Sequence, residues 1–99
     1  VRITSHCERR LLSRLGDIVT LKEVSASVAQ LCPKVGETWV LVKRLKTPVY
    51  IACNTADGGA NGDTVWAVVK VRPGESEGAV VTVLLRRWGQ TVKADHVRR

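Results

Sequence analysis

His6, Arg10 and Arg14 stand at i, i+4 and i+8, one stripe of a helix that turns about 100° per residue. A histidine aligned with two arginines suits a definite task. The guanidinium groups can hold a phosphodiester, and the imidazole can move a proton on or off an oxygen beside it. The plainer reading is a solvated basic flank on an ordinary amphipathic helix. Further along, Thr82 and Arg86 share a strand face that Trp88 joins if the strand continues, and Trp66, Lys70 and Arg72 share another. A tryptophan among cations suits a base stacked on a ring with its phosphate held by charge. Lys43, Arg44 and Arg87 extend this candidate nucleic-acid surface. The plainer reading here makes Trp66 and Trp88 core residues and the cations guards of an edge strand.

Other chemistries find little support. The nine acids are scattered, with no catalytic carboxylate pair and no metal-binding cluster. Gly58, Gly59 and Gly62 match neither a P-loop nor a dinucleotide fingerprint, so no cofactor is expected. Cys7 adjoins His6, but neighbours on a helix point about 100° apart and do not meet. His96 falls in a basic tail expected to fray from about residue 90.

The elements that position these residues follow from period and caps. Ser5 with Glu8 reads as a capping box, and Cys7, Leu11 and Leu15, widened by Leu12, form the apolar stripe of a helix ending at Gly16. Thr20 with Glu23 is a second capping box. Leu21, Val24, Val28 and Leu31 carry that helix to about Cys32, before Pro33. The period then falls to 2. Strands are expected at about 37–44, 49–53, 64–72 and 79–87, with a turn at Lys46-Thr47-Pro48, a loop from Asn54 to Gly62 and a turn from Pro73 to Gly78. The expected fold is α+β: two N-terminal helices packed on a four-stranded antiparallel sheet, ααββββ, in one domain spanning residues 1–99.

Composition fits that picture. A 99-residue chain buries roughly two-thirds of its unfolded surface. It has no Phe and no Met, and its Val-rich core favours a sheet. The net charge of +7 points to an anionic partner, such as nucleic acid or an acidic protein. No apolar run approaches the roughly 18–20 residues of a membrane span, and the N-terminus lacks a signal-peptide core. Cys7, Cys32 and Cys53 are odd in number and form no CxxC pair, so free thiols in a reducing compartment, the cytoplasm, are expected. The chain begins with Val, which initiator removal and excision from a longer polypeptide explain equally.

Ile3-Thr4-Ser5-His6 with Arg10 and Arg14, the second helix, and a strand reading Val80-Val81-Thr82-Val83-Leu84 together resemble the RelE/ParE-like small toxins. The nearest likeness is to the branch whose first helix reads Ser-x-His-Ala-x-x-Arg. Those proteins sit in a ribonuclease superfamily with barnase and several colicin and contact-dependent toxin nucleases. The resemblance runs from about Ile3 to Trp88. Cys7 stands where alanine is common, and the Asn54–Gly62 and Pro73–Gly78 segments are longer than usual. It implies metal-independent RNA cleavage, in which the ribose 2′-OH attacks the adjacent phosphate. On that likeness His6 is the general base or acid, Arg10 and Arg14 clamp the phosphate, and Thr82 donates to a non-bridging oxygen. The second proton-transfer group stays open between Tyr50 and Lys70. An acidic antitoxin or immunity protein is the implied partner. The alternative is a non-catalytic basic module on the same fold that binds nucleic acid or blocks a host protein, as a phage-encoded inhibitor does.

Overall fold

The structure, a computed structural model, describes residues 1–29, 31, 34–52, 59–87 and 97–98. In chain order these form β1 (Arg2–Ile3), α1 (Ser5–Leu15), α2 (Leu21–Val28), β2 (Gly36–Ala52), β3 (Gly59–Val71), β4 (Ala79–Arg86) and β5 (Val97–Arg98). The strands make one sheet in the order β1-β4-β3-β2-β5. β3 is antiparallel to both β2 and β4, whereas β1 runs parallel to β4 and β5 parallel to β2.

This corrects the expected ααββββ architecture. A strand precedes the helices, and the sheet is mixed and five-stranded. The reason lies in β1. Its pairing with β4 makes it parallel to β2, so the two helices become the long crossover that parallel strands require. Two residues carry no periodicity, and this arrangement leaves no local trace.

α1 begins on Thr4, one residue before the expected cap. The Thr4 hydroxyl accepts from the Cys7 N–H at 3.1 Å, and the Thr4 N–H donates to the Val80 carbonyl at 3.3 Å. One residue thus caps the helix and ties it to β4. α2 starts on the expected box: Thr20 accepts from the Glu23 N–H at 3.1 Å, and Glu23 accepts from the Thr20 N–H at 3.0 Å. It ends earlier than expected, with Ala29 as its C-cap, and Cys32 lies outside the described residues.

Both helices bury one edge on the same face of the sheet. Cys7, Leu11, Leu15, Val19, Val24 and Val28 meet Val40, Val65, Ala67, Val69, Val80 and Leu85. Leu12, expected to widen the stripe, is instead 61% exposed. At about 25 cal/mol per Å² of apolar surface, this β-branched core is the main term holding helices to sheet.

β2 replaces two expected strands. Lys46-Thr47-Pro48 is no turn but part of a long bulge, where Leu45 to Pro48 lie opposite Asp63 alone. Proline is tolerated there because no ladder hydrogen bond is asked of it. A second register shift at Val42 brings Lys43 opposite Val65, on the helix side. β3, the central strand, is buried on both faces from Thr64 to Val69. β3 also begins earlier than expected, at Gly59, inside the segment read as a loop. Gly62 admits no side chain: a Cβ there collides with the Arg86 carbonyl.

Candidate anion-binding cleft

α1 lies over β4, and a cleft of about 190 Å³ opens between them. Arg10, Leu11, Arg14 and Leu15 border it from α1, Ile51 from β2, and the run Thr82 to Arg86 from β4. Two spacings explain this. Arg10 and Arg14 are one helical turn apart, and each is followed by a buried leucine, so the helix edge carries cations above an apolar floor. Val83 and Leu85 complete that floor, since they pair with Ala67 and Val65 in the core.

The cleft is cationic: among the described residues no carboxylate borders it, and no ion pair engages Arg10, Arg14 or Arg86. The Arg86 guanidinium lies 5.7 Å from the centre of the Trp39 ring, a cation–π contact on the sheet face turned away from the helices. Its backbone is held as well. The Trp66 indole N–H donates to the Thr64 hydroxyl at 2.9 Å, and that hydroxyl donates to the Arg86 carbonyl at 2.7 Å.

Of the four residues expected to act on a phosphate, Arg10, Arg14 and Thr82 border this one cleft. Thr82 lies across from Val68, so its side chain leaves the sheet on the face opposite the helices and reaches the cleft only at the strand's rim. His6 is exposed on α1, one turn before Arg10, and does not border the cleft. Its neighbour Cys7 is buried, and burial pushes the thiol pKa above its ordinary value, which keeps it protonated.

The expected nucleic-acid surface is dispersed. Trp66 is only 4% exposed and offers no ring to a base. The Lys43 amine donates to the Ile18 carbonyl at 3.0 Å and pairs with Glu23 at 3.4 Å, so it braces α2 against β2. Lys70 and Arg72 are exposed and border a separate hollow of about 500 Å³ that also holds Arg2, Glu37 and Glu75. Arg44 and Arg87 are exposed on β2 and just beyond β4. Trp88 and His96 lie outside the described residues. Arg86 borders the cleft through β4, but its guanidinium turns to Trp39 on the far face, so among the described lining residues Arg10 and Arg14 bring the charge.

Among the described residues no group of His, Cys, Asp and Glu could hold a metal ion, and no helix is long and apolar enough to cross a membrane. What the cleft can do chemically is bind an anion by charge and forked hydrogen bonds, with an apolar surface for the attached group. No protein-family model, curated protein or solved structure matches the chain.

Proposed function

We propose that the protein binds RNA, with a backbone phosphate seated between Arg10 and Arg14. The observation that carries this reading is the pair Arg10 and Arg14, one helical turn apart at the border of a cleft with no acid among its described lining residues. The net charge of +7 adds long-range attraction for a polyanion. Ile51 and Val83, both only partly buried, give an unstacked base or ribose an apolar surface to rest on. The site of action is the cytoplasm, and an acidic antitoxin or immunity protein is the matching regulator.

The test is RNA binding as salt is varied. Each phosphate neutralised contributes about −0.7 to the slope of log K against log salt for a single strand. Affinity should therefore fall steeply with salt, and a flat response rejects the reading.

One observation favours a stronger version, in which the protein cleaves RNA. His6 is exposed one turn from Arg10, on the same stripe of α1. From there its imidazole can exchange a proton with the ribose 2′-OH or the leaving 5′-oxygen of a phosphate held by the arginines. Labelled RNA incubated in EDTA should then be cut, and His6→Ala should slow cutting by roughly 10²–10⁴ with the fold intact by circular dichroism. Arg10→Lys should also lose activity, because an ammonium cannot reproduce a forked contact. Thr82→Val tests the donor role and should cost roughly tenfold to a hundredfold. Binding without cutting leaves the non-catalytic module.

A further inference from the structure

β1 covers only the first two residues of β4, through Arg2 opposite Ala79 and Ile3 opposite Val80. From Val81 to Arg86 no strand lies on the outer side of β4 among the described residues. The cleft runs along this open stretch, bordered by five successive residues, Thr82 to Arg86. The cleft also touches Leu11, Leu15 and Ile51, so it lies on the helix side of the sheet and meets β4 along this stretch. The unpaired N–H and C=O groups of an edge strand point outward beside it, along the rim. Across the gap stand Arg10 and Arg14.

We infer that this rim is a docking edge for an extended acidic segment of a partner protein, which adds as a further strand beside β4. Its backbone continues the hydrogen-bond ladder, and its carboxylates meet Arg10 and Arg14. The spacings agree. Four helical residues rise about 6 Å. Two strand residues rise about 6.7 Å. Acidic side chains at alternate positions of the segment therefore match the two arginines.

The charge excludes the simplest rival occupant. A second copy pairing rim to rim would bring its own Arg10 and Arg14 close to this pair, with no carboxylate from the described lining residues to offset them. A nucleic acid satisfies the arginines but has no ladder of alternating donors and acceptors for the β4 backbone. The inference uses the same arginines as the proposed RNA site, so segment and RNA should exclude one another.

The experiment uses a short synthetic peptide in which Glu alternates with Thr and Val, labelled for fluorescence anisotropy against the full chain. A second peptide of identical sequence carries backbone N-methyl groups at alternate residues. A third has the same composition with its acids clustered. The first peptide should bind, and amide hydrogen exchange should slow within Val81–Arg86. N-methylation should weaken binding about tenfold, the cost of losing two or three ladder bonds. Clustering the acids should weaken it too, and Arg10→Ala with Arg14→Ala should weaken both peptide and RNA. Equal binding of the first two peptides, or no slowing of exchange on β4, overturns the strand-addition inference. If RNA binds and no peptide does, the inference fails while the RNA reading stands. If the peptide binds and RNA does not, the inference stands and the RNA reading fails.

Discussion

Helix α1 and helix α2 both begin on a threonine cap, and both bury one apolar edge against the same face of the sheet. Their charges have opposite fates. On α2, Glu23 closes the capping box and pairs with Lys43, which also reaches the Ile18 carbonyl. Those groups consume each other's charge in holding α2 to β2. On α1, Arg10 and Arg14 meet no carboxylate among the described residues and border a cleft. A cation's role is thus set by the acid it meets. Lys43 and Arg10 look alike in sequence, yet one is bound to the fold and the other borders an open cleft.

The largest effect that probes this contrast is in packing. Leu11→Ala removes a side chain 2% exposed, between Arg10 and the sheet, and should cost about 2–5 kcal/mol in urea or thermal unfolding. Leu12→Ala, at a position 61% exposed, should stay within about 0.5 kcal/mol. Equal effects would mean that α1 does not seat on β4 by this edge.

Next in size is a double exchange of roles. Arg10→Ala with Arg14→Ala should change unfolding stability little and flatten the RNA salt slope by about 0.7, the one single-strand phosphate seated between them. Lys43→Ala should do the reverse, lowering stability by about 1 kcal/mol through its lost partners and leaving the slope nearly unchanged. If Lys43→Ala flattens the slope as much as the arginine pair, the division of labour is wrong.

Smaller again is the cap on α2. Thr20→Ala deletes the acceptor for the Glu23 N–H and should cost about 1 kcal/mol, read from the chemical-denaturation midpoint.

The smallest effect is in pH. The Thr20 N–H holds the Glu23 carboxyl below its ordinary value of 4.5; burial, the next influence, pushes the other way, and Lys43 adds to the lowering. A carboxyl lowered in the folded state contributes stability above its unfolded pKa. That contribution is lost as pH falls through the folded pKa. Melting temperature should therefore fall on acidification below about pH 4.5, and fall less in Glu23→Gln. An identical acid profile in the variant would remove Glu23 from the account.

What was legible in the sequence follows from how local each signal is. The 3.6 period of Cys7, Leu11 and Leu15 and the stop at Gly16 placed α1 at Ser5–Leu15. The cap moved by one because Thr4 and Ser5 both carry a hydroxyl, and only the pairing of Thr4 with Val80 favours the first. Lys46-Thr47-Pro48 has turn chemistry, and only the register against β3 shows a bulge. The facing of Arg10 and Arg14 needed nothing beyond helical spacing. The cleft itself could not be read, because which rim of β4 lies open depends on where Arg2 and Ile3 pair. Trp66 stays open between core and surface in the sequence for a related reason: a central strand is covered on both faces, and strand order is not written in any one segment.

The pairing of β1 with β4 also sets a schedule. Thr4 cannot meet Val80, 76 residues later in the chain, until both have left the ribosome. At roughly 5–20 residues per second, that is a wait of about 4 to 15 s. Meanwhile Cys7, Leu11 and Leu15 have no complete sheet to cover them, since Val80 and Leu85 belong to β4. Closing so long a loop is slow in its own right, because the entropy is lost before the contacts form. The nascent chain therefore carries a basic amphipathic helix with its apolar stripe uncovered until β4 has emerged. That interval, rather than the finished fold, is when the protein is most exposed to aggregation and to chaperones.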